Sequence, residues 1–330
     1  MSARLMPAIL ALAAFALPAT AADKPQLTVY APDYFASDWG PGPGIEAAFE
    51  AGCDCDLVYV TGDVLPRLLL EGAASRADVV MGLTIDQTAR ARATGLFAPH
   101  GQDTGDMSMP IAWEDDTFLP FDWSEMAFVY DSTRLPEPPA SFEALLDAPD
   151  DLKIIIQDPR ASASGLGLML WIEAAFGDRA EEAWQKLAPH VLTVTAGWSE
   201  AYGLFTDGEA DMVLSFTTSP AYHIIAENDL TKKAAIFPEG HYLYTESAAK
   251  LAGAPQPELA DRFMAFILSP DFQALIPEGN WSFPSKLPEA DWPQGFRDLP
   301  RPDKTLFLPE SEAEALRGPA TERFLRAFAG

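Results

Sequence analysis

The chain has 330 residues, of which 48% are hydrophobic and 11% aromatic, and its 22 basic against 49 acidic side chains give a formal charge of −27. That apolar content is ordinary for a packed globular protein and too high for a disordered one, and the length suits two core-bearing units. So negative a chain repels phosphodiester backbones and anionic lipid, has no Lys/Arg cluster to override that field, and favours the approach of a cationic ligand.

The first segment reads Met-Ser-Ala-Arg, then an apolar run over 5–17, then Pro18-Ala19-Thr20-Ala21. A basic start, a short apolar core and an A-x-A end make 1–21 a secretory signal peptide cleaved after Ala21, and without a Cys at the cut no lipid anchor is expected. Residues 27–30 are β-rich, 45–50 have helical composition, 56–60 read as a second strand, 65–71 as a helix and 77–81 as a third strand. Cys53 and Cys55 are the only cysteines. In an oxidising compartment an even count points to a disulfide closing a very small ring, with a free thiol pair as the alternative. A metal site needs more ligands, and His100, His190, His223 and His241 stand singly.

The stretch 118–130 is extended and aromatic, Pro136-Glu137-Pro138-Pro139 punctuates the chain, and 141–147 reads as a helix with Ser141 as N-cap. The alternation then begins again, with strands at 153–157, 191–195 and 212–216 and helices at 167–176, 181–188 and 199–206. Helices over 257–268, 270–276 and 310–329 and a Pro-rich connection at 284–309 complete the chain. Two consecutive α/β sets predict two lobes built on parallel strands, with the ligand in the loops beyond the strand ends.

Those loops carry the chemistry. Asp33-Tyr34-Phe35-Ala36-Ser37-Asp38-Trp39 runs into a Gly/Pro turn and suits a flat, cationic, hydrogen-bonding molecule, against the plainer reading of a capped turn. Asp158 to Gly167 is rich in small residues and opens a helix, which suits hydroxyl or phosphate oxygens, but it lacks the Walker spacing and Lys. Gly197-Trp198-Ser199-Glu200, Ser215 to His223 and Gly279 to Pro284 bring Trp198, Phe216, Tyr222 and Trp281 to the same edge as Trp39. Each ring alone reads as core; together they predict an aromatic cleft, the environment that holds a cation. No G-x-S-x-G or H-E-x-x-H occurs, no Cys lies near a His in sequence, and His223 and His241 read as structural or rim residues.

At LTVYAPDYFASDWGPGP, QDPRASASGLGLMLW, VTAGWSEAYGLF, DMVLSFTTSPAYH, EGHYL and IPEGNWSFP the chain resembles the periplasmic thiamine-binding proteins of bacterial ABC importers, over essentially all of its length beyond the leader and including the paired cysteines. The resemblance implies an α/β, two-lobed type II periplasmic binding protein fold, with a first lobe of 22–122 and 236–281, a second of 123–235, and a C-terminal helical segment over 282–330 packing on both. It implies a monomer that binds thiamine, thiamine monophosphate or thiamine diphosphate without a cofactor and delivers them to a membrane permease.

Carried over by position, Asp33 and Trp39 match the first-lobe ligand loop, Ser162 and Ala163 the small pair near the phosphate, and Trp198, Phe216, Thr217, Thr218, Ser219, Tyr222 and Trp281 the remaining site. Pro32 stands where the family can have Tyr and Phe216 replaces a Tyr, so two phenol hydroxyls are missing, with Tyr34 as compensation for the first. Thr61-Gly62-Asp63 is a shortened loop that would place Gly62 and Asp63 at the site. In this reading Trp39, Tyr222 and Trp281 face the ligand rings, Asp33 accepts from the amino group, and Ser162 with Thr217, Thr218 and Ser219 donates to the hydroxyl or phosphate. Arg160 adds charge there or pairs locally. The competing readings are a thiamine-degrading transferase of the same fold with a Cys nucleophile, which a Cys53–Cys55 disulfide would silence, and a binder of polyamine or iron, for which the loops offer few carboxylates or clustered ligands.

Overall fold

A computed structural model describes residues 24–329; the predicted leader and its cleavage after Ala21 lie outside them. Eleven strands form one continuous sheet: β1 (Gln26–Ala31), β2 (Asp56–Thr61), β3 (Val79–Thr84), β4 (Leu119–Asp131), β5 (Ile154–Gln157), β6 (Val191–Thr195), β7 (Met212–Phe216), β8 (Lys232–Ala234), β9 (His241–Lys250), β10 (Phe283–Pro284) and β11 (Thr305–Leu306). The order is β2-β1-β3-β9-β4-β7-β5-β6, with β8 and β10 on β4 and β11 on β9. Strands β1 to β3 are mutually parallel, as are β5 to β7, and helices cover them.

The inner strands β1, β3, β5 and β7 are buried on both faces and are almost wholly apolar, while the outer strands β2 and β6 are partly exposed. In β1, Leu27, Val29 and Ala31 enter one core with Phe49, Phe263 and Phe272, while Tyr30 enters a second with Leu65 and Leu68. In β5, Ile154 and Ile156 pack with Phe142 and Trp171, and Ile155 packs with Phe205 on the other side. That split is the period of two expected of a strand.

Strands β4 and β9 run antiparallel and belong to both lobes. Leu119 to Glu125 of β4 pair with β9, and Met126 to Tyr130 continue along β7. The change of partner between Glu125 and Met126 sets the crossing between lobes. The predicted C-terminal segment is not all helix, since β10 and β11 join the sheet before the helix Glu310–Ala327. That helix lies against Ile85–Ala93 of the first lobe and against Ala163–Phe176 and Ala180–Leu187 of the second. Ser141 caps its helix as expected, accepting from Ala144 N at 2.9 Å. Cys53 and Cys55 form a disulfide with Cα atoms 5.3 Å apart, in the turn before β2. No helix among the described residues is long and apolar enough to cross a membrane.

His241 begins β9 fully buried: its Nδ1–H donates to Met126 O and its Nε2 accepts from Phe237 N, both at 2.7 Å. A ring used at both nitrogens in this way is neutral, and burial pushes its pKa down to about 4. The unfolded chain therefore binds a proton between pH 6.5 and 4 that the fold excludes, so the stabilisation is present above pH 6.5 and lost as pH falls toward 4, about 3 kcal/mol in all. Glu125, pushed up to about 7 by burial, acts with the opposite sign, so a variant comparison is needed to isolate the ring. In urea unfolding, the advantage of the wild type over His241→Gln at pH 7 is expected to shrink by about 2 kcal/mol at pH 5.

Candidate functional site

A cleft of about 700 Å³ opens where the loops of both lobes meet beside β4 and β9. No Lys, Arg or His lines it among the described residues. Its floor is polar and acidic, its walls are aromatic, and its second-lobe end carries small hydroxyl residues.

The floor is built on the crossing strands. Asp122 of β4 and Glu246 of β9 are paired in register, and both are buried. The Asn280 amide donates from Nδ2 to Asp122 Oδ2 at 2.5 Å and to Glu246 Oε2 at 2.8 Å. The Tyr34 hydroxyl donates to Glu246 Oε1, and Glu246 N donates to Asp122 Oδ1 at 3.2 Å. Burial, followed by the neighbouring Glu246, holds Asp122 well above the ordinary carboxyl range. Burial also raises Glu246, offset by its donors Tyr34 and Asn280, so the two carboxyls titrate as a coupled pair. Close approach here depends on Gly82, at φ +77°, where a Cβ would meet the Pro32 ring at 2.4 Å.

The walls form a chain of rings. Trp198 stacks on Tyr202 at 4.8 Å, and the Tyr202 hydroxyl bonds His223 Nε2 at 3.0 Å. His223 packs against Tyr222, and Tyr222 stands perpendicular to Trp281 at 5.1 Å. Trp281 follows the helix Ile276–Asn280 with φ +51°, a left-handed conformation that costs a bulky residue about 1–3 kcal/mol. The anchoring of Asn280 to both carboxyls holds that turn and aims the indole into the cleft.

At the second-lobe end, Trp198 Nε1–H donates to Ser215 Oγ at 2.8 Å. Ser215 Oγ also lies 2.7 Å from Ser219 Oγ, which accepts from Phe216 N at 3.2 Å. With Ser215 donating to Ser219, the Ser219 proton is left for a ligand. Ser162 precedes the helix Ala163–Phe176, whose start has no side-chain cap and lines the cleft through Ser162, Ala163 and Ser164. Gly165 permits this turn, since a Cβ would meet Gln157 O at 2.5 Å.

Of the predicted residues, Tyr34, Trp39, Ser162, Ala163, Trp198, Phe216, Ser219, Tyr222 and Trp281 line the cleft. Trp39 is 67% exposed and sits at its rim. Five others lie elsewhere. Asp33 is exposed, because the turn that seats Phe35 in the core directs it to solvent. Gly62 and Asp63 follow β2 and precede the helix Val64–Glu71, outside the lining. Thr217 and Thr218 are buried and their hydroxyls meet Ser124 of β4 at 3.3 and 3.0 Å, so they tie the loop to the crossing strand. Arg160 pairs locally with Asp158 at 2.5 Å. Sequence reasoning missed Glu246, Asp122, Asn280, Tyr244 and Tyr202. The available signal was an acid set inside an otherwise apolar strand.

Neither cysteine lines the cleft, and with both in the disulfide no thiol nucleophile is present. The metal-ligating group found among the described residues, His223, Glu227 and Asp229, lies at the back of the aromatic wall, where Asp229 is already held by Lys232 at 3.1 Å.

The chain matches the family model of the bacterial extracellular solute-binding proteins over residues 13–274. It is 49% identical over 298 residues, 89% of this chain and 90% of the relative, to a thiamine-binding periplasmic protein of Escherichia coli (strain K12). It is 41% identical over 282 residues, 84% of each chain, to one from Haemophilus influenzae. A solved periplasmic thiamin binding protein, 47% identical, superposes with a TM-score of 0.87 over 94% of this chain and 99% of that one. Iron-bound HitA from Pseudomonas aeruginosa, 20% identical with a TM-score of 0.73 over 92% of this chain and 99% of its own, shares the fold alone.

Asn280 is the one donor shared by the two floor carboxyls. Asn280→Ala is expected to cost about 1–3 kcal/mol of folding stability at pH 7 in denaturant titration.

Proposed function

The chain belongs to the bacterial extracellular solute-binding proteins, with the two-lobed type II periplasmic binding protein fold, and we infer that it is the periplasmic protein that captures thiamine for an ABC importer. It is a binding component of transport and not an enzyme. The observation that carries the reading is a cleft walled by Trp198, Tyr222 and Trp281 over an acidic floor with no lining cation. Thiamine presents a permanently cationic thiazolium, an aminopyrimidine with donors and acceptors, and a hydroxyethyl arm. Aromatic faces hold the cationic ring system by cation–π attraction and burial, and the floor accepts its donors.

The reading extends to thiamine monophosphate and diphosphate, bound without metal or cofactor. Support comes from the cleft-lining Ser219 hydroxyl and the uncapped N–H groups after Ser162, which offer donors to an oxyanion against the field of a chain at −27. A ligand touching both lobes stabilises their closed arrangement by its differential affinity, and that shape is what a membrane permease would recognise in a monomer.

Calorimetry on the processed protein is expected to show saturable 1:1 thiamine binding and none for putrescine; the reverse overturns the reading. Trp198→Ala and Trp281→Ala should each weaken thiamine by about 1–3 kcal/mol with the circular dichroism spectrum unchanged.

For the phosphate end, Ser219→Ala should cost the phosphorylated forms about 1.5–3 kcal/mol and free thiamine less, with no Mg²⁺ added. Equal losses for all three ligands would remove Ser219 from the phosphate.

A further inference from the structure

The carboxyl pair at the floor has no counter-charge of its own. Asp122 and Glu246 are buried, share the single amide of Asn280, and enter no ion pair among the described residues. The groups that face them are themselves neutral or acidic. Tyr34 comes from the loop after β1, Tyr244 from β9, and Glu278 from the helix Ile276–Asn280 that lines the same cleft. Asp86, at the start of the helix Ile85–Ala93, acts on Tyr244 and has its own cation in Arg317 of the C-terminal helix, 3.8 Å away. Two adjacent buried carboxylates without a cation cannot both ionise, so the empty pair retains one proton and one negative charge. Glu246 is the member that reaches the cleft, where a ligand's positive ring would supply the missing cation.

We propose that the Asp122–Glu246 pair is the counter-charge for the ligand's cationic ring, and that it assumes this role by releasing its shared proton to solvent as the ligand enters, passing from one negative charge to two. No bond other than the carboxyl O–H is broken, and the proton goes to buffer. This deepens the thiamine reading and rests on it. Such a pair discriminates as well as attracts: a neutral ring of the same shape would leave the proton in place and gain nothing from the second charge.

The test is calorimetry of the full processed protein with thiamine, at fixed pH between 6 and 7, in phosphate and in Tris, whose ionisation enthalpies differ. The expected result is a buffer-dependent enthalpy corresponding to several tenths of a proton up to one released per thiamine, with Kd falling by up to tenfold per unit rise in pH. Asp122→Asn should bind with no proton released, and Glu246→Gln should raise Kd at least tenfold and also lose the release. Identical enthalpies in the two buffers for the wild type, or an unchanged Kd for Glu246→Gln, overturn the proposal while leaving the thiamine reading intact. Absence of thiamine binding overturns both. The wild-type arm decides the matter even where a variant fails to fold.

Discussion

The structure turns on the burial of two carboxyls on the two strands that both lobes share. Asp122 and Glu246 face each other across the β4–β9 ladder, almost wholly buried, and among the described residues no Lys or Arg answers them. A buried acid without a partner is costly, so donors have to be brought to it. Asn280 is drawn in from the end of a helix and Tyr34 from the loop after β1, and each brings a neighbour to the cleft. Trp281 is turned into a left-handed conformation against Tyr222, and the loop carrying Tyr34 leads to Trp39 at the rim. The polar floor thus fixes the position of part of the aromatic wall above it.

The parallel strands of both lobes were legible because buried strands need unbroken apolar runs, as in Ile154-Ile155-Ile156, and because the flanking turns announce themselves. β9 was not read at all. His241-Tyr242-Leu243-Tyr244-Thr245-Glu246-Ser247 followed by Ala-Ala-Lys alternates no clear pattern, since one end is core and the other is floor. The helix Ile85–Ala93 also went unread, although Thr84 and Gln87 form a capping box at its start. At the site, loop position and residue type pointed to Trp39, Trp198, Phe216, Tyr222 and Trp281, which the structure places on the cleft lining, and to Asp33, which it leaves exposed. A carboxylate beside aromatics in a loop looks like a ligand group, whereas the buried acids at the cleft floor lie within strands and are brought together only by the β4–β9 register.

Thr217 and Thr218 teach a related lesson. Hydroxyls in a ligand loop are as able to bind the scaffold as the ligand, and here Ser124 claims both, fastening the second-lobe loop to the crossing strand. Ser219, one residue further, bonds Ser215 Oγ, accepts from the Phe216 amide, and lies on the cleft lining. Outside the cleft, the C-terminal helix touches both lobes, through Glu310 with Arg92 on one and Arg323 with Glu173 on the other. The Arg92–Glu310 pair is partly exposed and contributes about 0.2–1 kcal/mol, whereas Glu173 is buried beneath Arg323.

The two ends of the cleft are electrically unlike, and that difference bears on how a ligand must lie. The floor on β4 and β9 is acidic, while the second-lobe end offers the start of a fourteen-residue helix and the Ser219 hydroxyl. A helix N-terminus carries about half a positive charge and favours an anionic group. A molecule with a cationic ring at one end and an oxygen-bearing arm at the other has only one orientation that satisfies both ends. In that orientation its ring spans the aromatic walls and its arm crosses to the second lobe. The same polarity that selects the orientation therefore makes the ligand a bridge between lobes, which a uniformly cationic or uniformly anionic molecule of equal size could not be.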